Sequence, residues 1–170
     1  VWASIYFSDR PQKAMVIQVT GQQFNWIFHY PGPDGVFGRL DNTLITSTND
    51  LGLDRNDPQA KDDIVSLNNM HIPINRPVIV RIRSKDVIHS FFLPNMRVKQ
   101  DAVPGMAIEL WFTANRPGDY EIACAEYCGR GHYAMRAPRG PLSVDVQFDL
   151  DDLNAICQDR AGLETTGEAF

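Results

Sequence analysis

The sequence CAEYCGRGHYAM, residues 124–135, brings together several side chains of types that can ligate metals. It offers two thiols, an imidazole, a thioether and a carboxylate, which belong to Cys124, Cys128, His132, Met135 and Glu126. Thiolate, imidazole and thioether are ligands that favour copper, whereas carboxylates and water suit harder ions. These spacings do not place all the side chains on one side of a regular strand. The stretch therefore predicts a compact loop around a small metal centre.

A further candidate ligand, His89, lies upstream in DVIHS, residues 86–90, where the apolar strand predicted at residues 77–82 should be ending. In the loop, Gly129 and Gly131 are expected to supply backbone freedom. A histidine at a strand end and a Cys/His/Met loop between two later strands form the cupredoxin arrangement. A mononuclear blue-copper site needs only one cysteine, so the second thiol, Cys128, indicates more than one metal ion. Two copper ions close together repel each other, and two bridging thiolates lower that cost.

Three segments resemble the dinuclear copper (CuA) domain of cytochrome c oxidase subunit II: DVIHS at 86–90, KQDAVPG at 99–105 and the loop at 124–135. The resemblance covers about residues 18–145. It implies that six residues bind copper. The thiolates of Cys124 and Cys128 would bridge the two ions, and the imidazoles of His89 and His132 would each bind one of them. The Met135 thioether and the backbone carbonyl of Glu126 would be weak outer ligands. It also implies that the Glu126 side chain reaches a magnesium ion at the border with the catalytic subunit, with a solvated glutamate as the alternative.

The same resemblance implies the function of an electron-transfer subunit in a haem-copper terminal oxidase, an oxygen-reducing oxidoreductase in which this chain is the relay. Electrons would pass from cytochrome c, or another c-type donor, through copper to haem in subunit I. The domain would contact subunit I and other oxidase subunits on the extracytoplasmic side of a membrane, in a periplasm or intermembrane space. Asp86, Asp101 and an acidic loop are candidates for steering a basic cytochrome c.

Two aromatic residues are candidates for the electron path. The family commonly has a tryptophan at the first of these positions, where electrons are taken to enter from cytochrome c. This chain has Phe24 there, and Trp26 matches the second aromatic position.

Other functions remain open from the residues alone. A stand-alone blue-copper carrier would leave Cys128 without a role. The CuA domain of nitrous oxide reductase typically differs at the positions of Glu126 and Gly129, and a quinol-oxidase subunit without copper would not retain all six ligand positions. A Cys124–Cys128 disulfide and a zinc site are alternatives for the loop, although methionine is a poor zinc ligand. Cys157 is expected to be a buried or inert thiol.

Composition indicates one globular domain. The 170 residues are 44% apolar and 22% charged, and the net charge of −5 argues against nucleic acid as a partner. No run approaches the roughly 18 uncharged apolar residues of a membrane span. Residues 1–10 are apolar and aromatic before they turn charged, which fits either an ordinary first strand or the end of a membrane-anchor helix. The resemblance to subunit II implies the anchor helix.

Short alternating segments separated by turn signals predict an all-β, cupredoxin-like Greek-key β-sandwich or barrel over residues 11–148. A surface excursion is expected at 31–70, with one short helix from about Pro58 to Val65. Leu142, Val144, Val146 and Phe148 should form the closing strand, followed by a short helix and tail at 149–170. His29 and His71 are expected to be surface or hydrogen-bonded residues and not ligands.

Overall fold

A computed structural model describes residues 10–136 and 142–145 of the chain. Within them lie eleven strands: β1 (Met15–Gln22), β2 (Asn25–Tyr30), β3 (Ile64–Leu67), β4 (Met70–Pro73), β5 (Pro77–Ser84), β6 (His89–Leu93), β7 (Val98–Ala102), β8 (Ile108–Thr113), β9 (Gly118–Tyr120), β10 (Ala123–Cys124) and β11 (Leu142–Asp145). None of the helices in these residues has the length and apolarity that a membrane crossing requires. The predicted anchor segment up to residue 9, the predicted C-terminal helix, Val146 and Phe148 fall outside the described residues.

The strands form three sheets. The largest has the order β3-β2-β1-β5-β8, and the two smaller ones have the orders β10-β6-β7 and β4-β11-β9. β1 runs parallel to β5 and β11 parallel to β4, whereas the other pairings are antiparallel. The predicted all-β sandwich is confirmed, and among the described strands the sheets do not close into a barrel.

One apolar core joins the sheets. Ile17 and Val19 of β1 are fully buried in it, as are Phe91 and Leu93 of β6 on the opposite side. Burying a side chain of this size contributes about 1.5–3 kcal/mol. The alternation of β1 places Gln18 on the other face of the large sheet, so the strand separates an apolar interior from a polar outer face.

β2 is buried on both faces, because the excursion covers its outer side. Trp26 and Phe28 face the core, while His29 lies under the excursion with only 1% of its surface exposed. Its Nε2 lies 2.6 Å from Oδ2 of Asp63, and its ring centroid lies 5.0 Å from that of Phe37. The prediction of a hydrogen-bonded His29 is confirmed.

The helix predicted from about Pro58 to Val65 is wrong. The chain makes one 3-10 turn at Pro58–Ala60, capped by Asp57, and then enters β3, which pairs with β2 as part of the large sheet. Local capping signals start the turn. The helix does not continue, because the buried carboxylate of Asp63 accepts the Gly38 N–H at 2.8 Å and contacts His29. These contacts place the residues after Asp63 in the sheet. The expected excursion therefore contains a strand.

Candidate metal centre

His89 is the first residue of β6 and is completely buried. Its Nε2 lies 2.8 Å from Oδ1 of Asp86, which leaves Nδ1 as a buried ring nitrogen without a hydrogen-bond partner. Burial opposes protonation, but the neighbouring Cys124 thiol and the hydrogen bond to Asp86 outweigh it and raise the pKa of His89. The carboxylate thus fixes the orientation of the ring and leaves one nitrogen facing the interior of the site.

The first cysteine is placed by strand pairing. β10 pairs with β6, so that Cys124 lies opposite Phe91, and the Ala125 N–H donates to the Ser90 carbonyl at 2.9 Å. The loop then turns back on itself through Gly129, which has a φ of 134° that only glycine adopts without strain. A 3-10 turn at His132–Met135 follows.

The predicted donor atoms converge. One ring nitrogen of His89 and the sulfurs of Cys124 and Cys128 all lie within 4.8 Å of one another, and all three residues are buried. The two Sγ atoms are 3.9 Å apart, nearly twice a disulfide bond length of about 2.05 Å. Nδ1 of His132 lies 3.6 Å and Sδ of Met135 lies 3.4 Å from the second sulfur. The geometry therefore brings two segments of the chain around one small volume.

Glu126 contributes two groups that point in different directions. Its carbonyl oxygen lies 3.1 Å from Sγ of Cys124, whereas its side chain is exposed. Both groups match the two roles that the resemblance implies, since the backbone faces the sulfurs and the carboxylate faces outward.

The two thiols differ in acidity. Burial opposes ionisation of Cys124, but the neighbouring His89 ring and hydrogen bonds with the backbone at Ser90 and Glu126 lower the pKa of its thiol to about 6. Burial and the adjacent charge on Cys124 raise the pKa of Cys128 to about 11. The metal-free pair therefore carries one negative charge near neutral pH, and binding of cations at both sulfurs requires loss of the remaining proton.

The donor set fits copper. A buried nitrogen without a partner at His89 and two buried free thiols at Cys124 and Cys128 are groups that a soft to borderline metal satisfies. The Met135 thioether, with 2% of its surface exposed, adds a ligand that zinc sites rarely use. The residues present therefore match a copper centre with mixed sulfur and nitrogen ligands.

The two aromatic residues predicted near the centre occupy different positions. Trp26 is buried, with its ring centroid 5.9 Å from His89 and 5.4 Å from Phe91, both in edge-on geometry. Phe24 is half-buried and packs against the ligand loop, where a side chain at Gly131 would overlap its ring. The φ of Gly131 is −92°, so this glycine is required for its small size and not for the backbone freedom expected from the sequence.

Sequence reasoning missed two residues that position the site. Asp86, a candidate for steering a donor, also contacts His89 and accepts the Gln23 N–H at 2.7 Å. The side-chain amide of Gln23 donates to the Cys128 carbonyl at 2.7 Å, across 105 residues of sequence. Asp86 could have been found from its spacing of three residues before a ligand histidine, but no local signal marks Gln23.

The acidic residues of the excursion are largely used within the protein. Asp54 and Asp63 are buried, and the first forms an ion pair with Arg39. Asp57 accepts the Arg39 N–H at 2.9 Å and the Gln59 N–H at 3.2 Å. These contacts stabilise the excursion and leave fewer free carboxylates for a docking surface than the sequence alone indicated.

The other histidines lie away from the donor cluster. His29 is bound to Asp63 under the excursion. His71 is buried in β4, and its backbone N–H donates to the Tyr30 hydroxyl at 2.8 Å. As predicted from the sequence, neither joins the donor cluster.

The fold and the cluster together define a class: a cupredoxin-like β-sandwich with a buried His/Cys/Cys site. Residues 15–138 match the family described as cytochrome c oxidase subunit II, periplasmic domain. The chain belongs to this family.

Relatives and solved structures agree with this assignment. The alternative cytochrome c oxidase subunit 2 of Bradyrhizobium diazoefficiens is 44% identical over 132 residues, which cover 77% of this chain and 48% of the relative. The chain thus spans about half the length of the curated relatives that it matches. The crystal structure of the periplasmic domain of subunit II of cytochrome oxidase (CoxB) from Bradyrhizobium japonicum superposes with a TM-score of 0.61 at 28% identity, covering 88% of this chain and 97% of that one.

A second solved structure is a mixed-disulfide intermediate between the thioredoxin-like protein TlpAs and subunit II of cytochrome c oxidase. It has a TM-score of 0.57 at 25% identity, and the alignment covers 93% of this chain and 99% of that chain.

Proposed function

We propose that this chain is the electron-transfer domain of a haem-copper terminal oxidase and holds a dinuclear copper centre. The observation that carries the proposal is the convergence of His89, Cys124 and Cys128 within 4.8 Å, with His132 and Met135 beside the second sulfur. The presence of two thiols favours two metal ions over one, because a single copper site leaves Cys128 without a partner. Membership of the subunit II family supports the oxidase as the parent complex.

The protein residues would hold the centre in one geometry. His89 is fixed by Asp86, Cys124 by the pairing of β10 with β6, and the Cys128 backbone by Gln23. Burial of the sulfurs under Met135 excludes water from the donor set. A copper pair held here would supply reversible one-electron chemistry. Because these contacts hold the donor side chains in place, the site suits electron relay.

Copper content and electron paramagnetic resonance of the oxidised, copper-loaded chain test this proposal. Two copper ions per chain with one unpaired electron shared between them give a hyperfine pattern denser than one nucleus produces. One copper ion with a single-nucleus pattern would identify a mononuclear carrier instead and refute the dinuclear assignment. In a Cys128→Ser variant, the shared-electron pattern should disappear while the circular dichroism of the sandwich is retained.

We also propose that the Glu126 carboxylate binds magnesium at the contact with subunit I. Its exposure supports this role, because the backbone of the same residue faces Cys124 while the side chain is free to reach a neighbour. A carboxylate is a hard ligand of the type that magnesium prefers. Replacement by Gln in the assembled oxidase should remove the magnesium and leave the copper spectrum unchanged. Magnesium retained at full occupancy would refute this role.

The remaining partners follow from the same proposal. The donor is a c-type cytochrome, and the domain works on the extracytoplasmic side, next to subunit I and anchored through a segment that includes residues 1–10. The family description as a periplasmic domain supports the side of the membrane. The division into residues 1–10, 11–148 and 149–170 stays a prediction. Reduction of the copper-loaded chain by a c-type cytochrome in stopped flow would support the donor, and no reduction by any c-type cytochrome tried would argue against it.

A further inference from the structure

An open cleft of about 620 Å³ lies on the outer face of the large sheet, between β1, the end of β5 and the excursion. Its size falls within the roughly 300–1,000 Å³ of small-molecule sites. It shares no residue with the His89, Cys124 and Cys128 cluster. The electron-relay function therefore does not account for it.

The floor of the cleft carries two polar side chains, Gln18 and Thr20, from the outer face of β1. Their exposed fractions are 7% and 9%. Among the described residues neither side chain has a hydrogen-bond partner. Polar groups that are nearly buried normally find partners, so these two side chains are available to a molecule in the cleft.

The side of the cleft along β5 is cationic. Arg83 pairs in register with Thr20, which places both side chains on the same face of the sheet, and within the described chain Arg83 forms no ion pair. Nζ of Lys85 donates to Oε1 of Gln22 at 3.0 Å and to the Asp50 carbonyl at 2.7 Å. An ammonium has three donors, so one N–H remains. Asp50 adds one carboxylate to the lining, which leaves an excess of positive charge.

The lining also includes apolar groups. Phe37 comes from the excursion and Met106 from the turn after β7, and the latter side chain is 53% exposed. An exposed methionine and an aromatic ring offer an adaptable surface for a flat or apolar group. The cleft therefore combines cationic, polar and apolar lining groups.

We propose that this cleft binds a small organic anion. A phosphate or carboxylate head lies against Arg83 and Lys85, and the body of the molecule lies on Phe37 and Met106. Gln18 and Thr20 donate or accept hydrogen bonds at the floor. A guanidinium binds both kinds of oxyanion in two-pronged fashion, so the head group alone does not distinguish the two classes.

Calorimetric titration of the 170-residue chain tests the proposal, with AMP as the phosphate probe, benzoate as the carboxylate probe and adenosine as the uncharged body. We expect one-to-one saturable binding of at least one anion, at least about tenfold tighter than adenosine. Backbone amide shifts should be centred on Gln18, Thr20 and Arg83. Binding should be the same with and without copper, so the outcome is independent of the proposed relay function.

Arg83→Gln should weaken the binding by about tenfold or more, whereas Arg116→Gln makes the same charge change at the far end of the sheet and should alter it less than about twofold. Met106→Glu, at an exposed position, should weaken it through repulsion of the anion. The proposal is overturned if neither anion saturates, if the shifts map elsewhere, or if Arg83→Gln and Arg116→Gln behave alike.

Discussion

Asp86 connects His89 of the candidate metal centre to the backbone of Gln23, just after β1. One carboxylate oxygen contacts His89 and the other accepts the Gln23 N–H. Asp86→Asn keeps the shape and removes the charge, and partners of metal-bound imidazoles typically contribute about 10–100-fold in affinity. We therefore expect this variant to bind copper about 10–100-fold more weakly than the unmodified chain, as measured by competition with a chelator.

The matched control for Asp86 is Asp119→Asn, which alters a carboxylate bound to Ser143 at the other end of the sandwich. This variant should bind copper like the unmodified chain. Equal losses in both variants would show that Asp86 acts only through general electrostatics.

The two thiols also predict how the chain behaves without metal. Their sulfurs lie 3.9 Å apart on a glycine-containing loop, and Cys124 has a pKa of about 6, so a large fraction is thiolate at neutral pH and reacts readily. In a Cys157→Ser background, air oxidation of the copper-free chain should remove both free thiols and abolish copper uptake. A dithiol reductant should restore both.

Thiol counting with a chromogenic reagent before and after reduction gives the measurement. Two thiols that persist through oxidation would contradict the prediction.

Among the elements, the ligand loop depends on close packing of Phe24 against Gly131. A methyl group at Gly131 would overlap the ring, and overpacking of this kind typically costs about 1–3 kcal/mol. Gly131→Ala should lower the free energy of unfolding by that amount in chemical denaturation. Adding Phe24→Ala should relieve much of the penalty, because the two changes share one contact. Strict additivity of the two changes would argue against the contact.

The excursion and the large sheet are joined at His29 and Asp63, and this contact predicts a pH dependence. Burial lowers the pKa of His29, although the hydrogen bond to Asp63 opposes the effect. As the pH falls below about 6.5, the unfolded chain takes up a proton that the folded chain resists. The free energy of unfolding therefore falls, by up to about 1.4 kcal/mol per pH unit.

His29→Gln keeps a polar side chain but removes the titration. The difference in free energy of unfolding between the unmodified chain and this variant should shrink from pH 7 to pH 5 in urea unfolding experiments. Parallel pH profiles would show that His29 does not titrate differently in the two states.

Strands with a clear apolar pattern could be predicted from the sequence, as in β5, expected at residues 77–82, and in β11, expected from Leu142. The turn at Pro58–Ala60 was misread as a longer helix, since its proline and Asp57 cap are local signals while Asp63 responds to a distant partner, His29. Local reasoning fails where a buried polar contact between distant residues decides the structure.

The candidate site was more predictable than the loops around it, because the ligand types and spacings are chemically restrictive. The roles of Gln23 and Asp86 were not, since each depends on segments that meet only in three dimensions. The copper-binding roles of the six predicted residues stay predictions until metal is measured.

At the scale of the whole molecule, the donors come from β6 and from the loop after β10, so metal binding links two parts of the sandwich. A ligand that binds only the folded state stabilises it in proportion to the logarithm of its concentration over Kd. Copper loading should therefore raise the melting temperature, and removal by a chelator should reverse the rise. Cys128→Ser should lose most of this increase, as measured by calorimetry, and an equal increase in that variant would contradict a role for its sulfur.

The parallel pairing of β11 with β4 limits when the ligand loop can become fixed during synthesis of the chain. Leu142 lies beside Met70 although the two are 72 residues apart in the chain, and the ligand loop precedes β11 in sequence. During synthesis from the N-terminus, both ends of that loop are held only after residue 145 has been made. In the copper centre proposed above, metal insertion would therefore be a finishing step that follows the pairing of β11 with β4.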